Sequence, residues 1–110
     1  FYPEDIHNCA DALQKNKVNP NIMIDFSHGN SQKNHENQKK VSASVCQQIS
    51  EGNKNIVGVM IESHLKEGAQ KISDNLEYGK SITDACVHWD ETKKLLSDLS
   101  ASVKARRSIG

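Results

Sequence analysis

Two short apolar segments, each followed within one residue by Ser-His, limit most strongly what this chain can fold into. Residues 22–26 and 56–61 are rich in Ile, Val and Met, and both are too short for a typical helix. Segments of this kind are typical of strands buried on both faces of a parallel sheet. Because a helical pattern separates them, we expect a βαβ unit with parallel strands and a right-handed crossover.

Outside these strands, the apolar residues recur at helical spacing in three places. The predicted stripes are Ile6, Cys9, Ala10 and Leu13, then Val41, Val45 and Ile49, then Leu95, Leu96, Leu99 and Val103. Tyr2-Pro3 precedes the first stripe as a helix start, Gly52 follows the second as a C-cap candidate, and the last helix should begin near Asp90. The predicted order over residues 1–110 is therefore helix, strand, helix, strand, long loop, helix.

The polar segments between these elements carry three further expectations. Gly29-Asn30-Ser31 ends the first strand and offers N-cap candidates for the next helix. Residues 32–40 are strongly polar, which predicts an exposed stretch. Residues 63–83 form a long polar loop, and loops of more than about 15 residues in compact domains are usually functional or disordered.

Two strands and three helices make a poor independent fold. Each strand is predicted to be buried on both faces and needs neighbours beyond its one partner. Apolar residues make up only 35% of the chain, so the available core is small. We therefore expect the segment to be about a quarter of a larger α/β structure such as an eight-stranded barrel.

Charge and cysteine content exclude several classes of protein. Lys plus Arg and Asp plus Glu both number 14, which gives no electrostatic reason to expect nucleic acid or an anionic membrane as partner. The basic residues 104–107 are compatible with a binding patch or with cations at a helix C-terminus. Three widely spaced cysteines without C-x-x-C indicate a reducing compartment, so a cytoplasmic location is expected. No apolar run is long enough to span a bilayer.

Titratable side chains follow both predicted strands at their carboxyl ends, where α/β folds place their ligands. Asp25 and His28 lie at the end of the first strand, and Glu62 and His64 lie at the end of the second. A histidine at such a place is also compatible with a hydrogen-bonded structural role, and Asp84 with a turn or N-cap. If the long loop folds back over the strand ends, one imidazole and two carboxylates converge. Such a set suits Mn, Fe, Co or Zn.

Other catalytic patterns are absent or weak. The sequence contains neither a P-loop nor G-x-G-x-x-G, and Ser27 and Ser63 lack the G-x-S-x-G context of a nucleophile. Cys9 and Cys46 lie on or near apolar stripes and are expected to be small core residues. The residues by themselves therefore leave the metal site and a purely structural arrangement both open.

Several blocks in the right order resemble the C-terminal part of class I 3-deoxy-D-arabino-heptulosonate 7-phosphate (DAHP) synthase. The blocks are Met23-Ile24-Asp25-Phe26-Ser27-His28-Gly29-Asn30-Ser31, Gly58-Val59-Met60-Ile61-Glu62-Ser63-His64-Leu65, Glu67-Gly68, Tyr78-Gly79-Lys80-Ser81-Ile82-Thr83-Asp84-Ala85-Cys86 and Val103-Lys104-Ala105-Arg106-Arg107. The resemblance runs from near the start to the end of the chain. It is faintest in residues 1–19, 32–40 and 71–77, where the loop is slightly shorter than usual for the family.

The resemblance implies the fold, the reaction and the ligands. These enzymes are (β/α)8 barrels, and this segment would supply the last two strands and last three helices. They condense phosphoenolpyruvate with erythrose 4-phosphate in the first committed step of the shikimate pathway to aromatic amino acids. Their divalent metal is held by Cys, His, Glu and Asp, and the last three match His28, Glu62 and Asp84. His28 and Asp84 would also be catalytic, with the metal polarising the aldehyde. The full-length enzyme is expected to be a homo-oligomer.

This sequence also departs from the family pattern. The metal-binding Cys of the family lies on an earlier strand, and none of Cys9, Cys46 or Cys86 occupies that motif. The groups that grip phosphoenolpyruvate also come from earlier strands. Two hypotheses follow. The chain is a synthase fragment that is inactive by itself, or it is a complete small α/β module that binds a metal or a partner without catalysis.

Overall fold

The computed structural model describes all 110 residues and is an α/β structure with two parallel strands and three α-helices, in the predicted order. The elements are α1 (Pro3–Lys15), β1 (Ile22–Asp25), α2 (Gln38–Ser50), β2 (Ile56–Met60) and α3 (Trp89–Ile109). Two short 3-10 turns, Gly29–Ser31 and His35–Asn37, lie between β1 and α2. None of the helices has the length and apolar character needed to cross a membrane.

The two-stranded sheet is covered on one face only. Ile24 of β1 pairs with Val59 of β2, and a register shift follows Ile22. Met23 and Val57 are 64% and 61% exposed, so the expected burial on both faces is wrong for these residues. The physical reason is that the buried cluster gathers the apolar sides of α1 and α2 on a single face of the sheet.

The core is small and lies between the sheet and the helices. Nine buried residues form it: Ile6, Ala10, Ile22, Ile24, Phe26, Val41, Val45, Ile49 and Ile56. Leu99 and Val103 of α3 pack against it as predicted, whereas Leu96 is 52% exposed. Cys9 is exposed and Cys46 is half-buried, so neither is the core residue that was expected. On α1 and α3 fewer stripe residues are buried than the apolar pattern predicts, whereas on α2 the whole predicted stripe, Val41, Val45 and Ile49, is buried.

The ends of the helices follow the sequence signals. Pro3 opens α1, and the Asp5 carboxylate accepts the backbone N–H of Tyr2 at 3.2 Å. After α2, Gly52 has a φ of +106°. Its N–H donates to the carbonyl of Ile49, and the Asn53 N–H donates to the carbonyl of Gln48. These two hydrogen bonds form a Schellman motif, which confirms Gly52 as the residue that ends α2.

The basic end of the chain serves the fold. The Nη1 group of Arg106 on α3 donates to the carbonyls of Asn53 and Ile56, both at 2.8 Å. These bonds tie the last turns of α3 to the start of β2. Arg106 therefore makes contacts within the protein, and these favour a structural role over the binding patch that the sequence left open.

The segment between β1 and α2 differs from the prediction in two ways. Asn30 and Ser31 do not cap α2; their side chains donate to the carbonyls of Asp25 and Ser27, just behind them. The expected exposure of residues 32–40 is wrong at Gln38, which opens α2 and is 0% exposed. Its side-chain amide forms hydrogen bonds with Ser27 and with the carbonyl of Glu62, which is why this buried position accommodates a polar side chain.

The long loop after β2 is ordered by its own backbone hydrogen bonds. Val87 lies beside Ser63 in a parallel bridge, and Cys86 pairs with Gly68 in an antiparallel one. Further along the loop, Nε2 of Gln70 donates to the carbonyl of Glu77, and the backbone N–H of Glu77 donates to Oε1 of Gln70. The loop therefore turns back on itself and returns to the end of β2 before α3 begins.

Candidate metal centre

Three side chains with metal-binding atoms meet where the two strands end. The Nε2 atom of His28 lies 3.2 Å from Oε1 of Glu62 and 3.0 Å from Oδ2 of Asp84. The candidate ligand atoms of the three residues all lie within 4.8 Å of one another. His28 follows β1, Glu62 follows β2, and the returning loop carries Asp84. The fold thus brings together the three residues that the sequence singled out.

Asp25 fixes the direction of the His28 ring. Its Oδ2 lies 2.7 Å from Nδ1 of His28, and its Oδ1 accepts the backbone N–H groups of Ser27 and His28. With Nδ1 bound to a carboxylate, Nε2 is directed at Glu62 and Asp84. An outer carboxylate behind the distal nitrogen of a ligand histidine is the usual arrangement in metal sites.

The protonation equilibria follow from the same contacts. The hydrogen bond to Asp25, followed by the one to Asp84, raises the pKa of His28 above its ordinary value. Burial alone would raise the pKa of Asp25, but the hydrogen bonds from the His28 side chain and from the backbone amides of Ser27 and His28 hold it lower. Without a metal, these contacts therefore favour the charged form of the ring, with a proton on each nitrogen.

Glu62 supplies a direct test of whether a cation fits. The Glu62 side chain as a whole is 25% exposed, but its Oε2 atom is buried and accepts no hydrogen bond. A buried carboxylate oxygen without a partner is costly, and a bound cation would remove that cost. The donor set of one imidazole nitrogen and carboxylate oxygens suits Mn, Fe, Co or Zn. The residues present therefore fit a divalent metal.

The other candidates lie outside this group. His64, considered as a supporting residue, is exposed, and its Nδ1 accepts the N–H of Leu65 at 2.8 Å. Cys86 is buried and its thiol contacts the Asp84 carbonyl at 3.5 Å; burial raises the pKa of that thiol. None of the three cysteines belongs to the candidate metal group.

Two residues at the site were not anticipated as a pair. Ser27 and Gln38 are buried, and their side chains contact each other and the backbone of Glu62. Gln38 carried no signal in the sequence, because it stands in a polar run that looks solvated. Ser27 carried no signal for a structural hydroxyl either: the sequence excludes it as a nucleophile for lack of a G-x-S-x-G context and indicates no other role.

Comparison with known proteins gives a consistent result. The chain is 55% identical over 101 residues to the tyrosine-inhibited phospho-2-dehydro-3-deoxyheptonate aldolase of Schizosaccharomyces pombe, with 86% of this chain and 27% of that protein covered. It is 52% identical over 109 residues to the Phe-sensitive enzyme of Escherichia coli, with 97% of this chain and 31% of that protein covered. The chain therefore spans about 30% of the length of these relatives.

The same likeness holds in three dimensions. The solved phospho-2-dehydro-3-deoxyheptonate aldolase of Francisella tularensis matches 96% of this chain with a TM-score of 0.91 and 45% identity, while 31% of that structure is covered. The model of the DAHP synthetase I family matches residues 1–97. With most of its length matched by the family model and its fold matched by a solved relative, the chain belongs to the DAHP synthetase I family.

Proposed function

We propose that the chain is the C-terminal segment of a DAHP synthase, the enzyme that condenses phosphoenolpyruvate with erythrose 4-phosphate and releases phosphate. In this proposal β1 and β2 are the last two strands of a (β/α)8 barrel. Family membership and the high structural similarity to a relative more than three times as long support it. A cytoplasmic, homo-oligomeric full-length enzyme is part of the same proposal.

The observation that carries the proposal is the arrangement of His28, Glu62 and Asp84. These residues are proposed as three ligands of a divalent metal, because their ligand atoms converge and one Glu62 oxygen is buried without a partner. A fourth ligand would be the family's cysteine, since no cysteine of this chain reaches the group. When bound, the metal would act as a Lewis acid on the aldehyde of erythrose 4-phosphate.

The chain's own residues would have distinct tasks. Asp25 would keep a proton on Nδ1 of His28, so that Nε2 offers its lone pair to the metal. Glu62, the least exposed of the three, would anchor the metal on the protein side. The Asp84 side chain is 52% exposed, so it would be the group that also faces the substrate.

Substitution of the three ligands in the complete reading frame tests this function. Glu62→Gln and Asp84→Asn keep the shape of the side chains but remove the charge. We expect each to lower both Mn²⁺ affinity and synthase turnover by more than the about 10- to 100-fold that is typical of outer-shell changes. Glu67→Gln and Asp74→Asn, on the same loop but outside the site, are the matched controls.

Two readouts separate the alternatives. Chelator treatment should abolish phosphoenolpyruvate consumption, and added Mn²⁺ should restore it. If the unmodified protein binds Mn²⁺ through these residues but never consumes phosphoenolpyruvate, the non-catalytic module is the better description. If the substitutions leave Mn²⁺ binding unchanged, the ligand assignment is wrong.

A further inference from the structure

We infer that Ser27 and Gln38 are positioning residues that hold the backbone of Glu62, and through it the carboxylate ligand, in place. The inference rests on the proposed metal-binding function. The two side chains touch neither Nε2 of His28 nor the ligand carboxylates. They act only through the backbone of Glu62.

The contacts form a closed ring of hydrogen bonds. The backbone N–H of Glu62 donates to Oγ of Ser27 at 2.7 Å. That hydroxyl donates in turn to Oε1 of Gln38 at 3.1 Å, and Nε2 of Gln38 donates to the carbonyl of Glu62 at 3.3 Å. Both backbone groups of Glu62 are therefore held by the same pair of side chains.

The directions of these bonds are mutually consistent. Because the Ser27 oxygen accepts from a backbone N–H, its single proton is available for Gln38. The Glu62 carbonyl can only accept, which sets the NH₂ of Gln38 toward it and leaves the amide oxygen facing the Ser27 hydroxyl. The sulfur of Met60, 3.8 Å from the same hydroxyl, is the weaker acceptor. Ser27 and Gln38 are 4% and 0% exposed, so water cannot replace a lost partner at low cost.

The ring lies where the sheet can no longer position the chain. The last ladder bond between the strands runs from the N–H of Phe26 to the carbonyl of Met60 at 2.9 Å. Glu62 lies beyond that bond, so Ser27 takes the place that a further strand residue would have filled. The bond to Ser27 is the one that joins the backbone of Glu62 to the segment after β1, and it would be lost without the ring.

The same carbonyl also joins the third ligand to the site. Besides the Gln38 amide, the Glu62 carbonyl accepts the N–H of Val87 at 3.1 Å, close in the chain to Asp84. A shift of the Glu62 backbone would therefore be transmitted to the returning loop. The ring fixes the spacing between two of the proposed ligands, and this makes Gln38 a determinant of metal affinity.

Gln38→Met and Ser27→Ala in the complete reading frame test the inference. Gln48→Met is the matched control. Gln48 is a second buried glutamine of α2, and it donates to the carbonyl of Phe1 at 2.7 Å, away from the site. Mn²⁺ affinity is measured by electron paramagnetic resonance, and site geometry by the visible spectrum of the Co²⁺ form. A merely structural role would leave the Co²⁺ spectrum unchanged in all three variants.

We expect Gln38→Met and Ser27→Ala to weaken Mn²⁺ binding by about 10- to 100-fold and to alter the Co²⁺ spectrum, as outer-shell changes do. Gln48→Met should change stability only. Equal Mn²⁺ affinity and equal spectra for Gln38→Met and Gln48→Met would overturn the inference.

Amide hydrogen exchange at Glu62 keeps the inference testable if the unmodified protein fails to bind Mn²⁺. That failure would overturn the proposed metal function, but not by itself the ring. Faster exchange at Glu62 in Gln38→Met, and not in Gln48→Met, would support the positioning role. Unchanged exchange would refute it.

Discussion

At the scale of single residues, His28 stands out because both of its ring nitrogens face carboxylates. Nδ1 contacts Asp25, which no other candidate ligand touches, and Nε2 contacts Glu62 and Asp84. The two sides of the ring therefore have separate roles, one orienting and one proposed to bind. Changes to Asp25 probe the orienting side without removing a ligand.

Asp25→Asn should lower Mn²⁺ affinity by about 10- to 100-fold, because an amide holds the imidazole more weakly and makes Nε2 less basic. Asp11→Asn is the matched control, since Asp11 pairs with His7 at 3.3 Å on the exposed side of α1. Titration with Mn²⁺ followed by electron paramagnetic resonance measures both. Equal affinities would mean that Asp25 does not orient the ring.

The affinity for Mn²⁺ should also depend on pH. The hydrogen bond to Asp25 and then that to Asp84 raise the pKa of His28, and a proton on Nε2 competes with the metal. Above the raised pKa the lone pair is free; below it, affinity should fall by up to about tenfold per pH unit for one displaced proton. The decline should begin above the ordinary histidine pKa of about 6.5. Affinity that stays constant down to about that value would contradict this prediction.

At the scale of elements, the returning loop depends on a close approach between Gly79 and Leu65. Gly79 has a φ of +79°, and a Cβ added there would lie 2.9 Å from Cβ of Leu65. The carbonyl of Gly79 also accepts the N–H of Lys66 at 2.8 Å. A side chain at this position would therefore strain the closed loop.

Gly79→Ala should destabilise the protein by roughly 1–3 kcal/mol, from backbone strain and from the collision with Leu65. Gly29→Ala is the control, since its added Cβ would meet no atom within 4 Å and its φ is not positive. Urea unfolding of the complete protein measures both. Equal midpoints would show that the loop adjusts without cost.

The elements were predictable where one local pattern decides them. The apolar period gave all three helices and both strands, and Gly52 marked the end of α2. Burial was not predictable at Met23, Leu96 or Gln38, because it depends on which faces the other elements reach. The convergence of His28 with Asp84 depended on the loop folding back, which no local pattern encodes; there the family resemblance carried the prediction.

At the scale of the whole molecule, the chain forms a slab. Its extents are 52 × 30 × 17 Å and its radius of gyration is 15.9 Å. A compact domain of about 100 residues has a radius of gyration of about 13 Å. Only 20 of the 110 residues are buried, so the core is too small to offset much conformational entropy.

The isolated 110 residues should therefore show no cooperative thermal transition and no synthase turnover. Exposed apolar side chains on the open face of the sheet, such as Met23 and Val57, should bind a hydrophobic dye. Circular dichroism on heating, dye fluorescence and a phosphoenolpyruvate assay measure these properties. A sharp transition together with turnover would contradict the prediction.

The way the loop is fastened determines where the chain can gain or lose residues. The pairings of Gly68 with Cys86 and of Gln70 with Glu77 close the base of the loop, so residues 71–76 form a tip outside it. The entropy of closing such a tip grows slowly, by only about 0.6 kcal/mol for each doubling of its length. Insertions or deletions in this tip should leave Asp84 where it is, so related chains can differ in length here while keeping the same distance from His28 to Asp84.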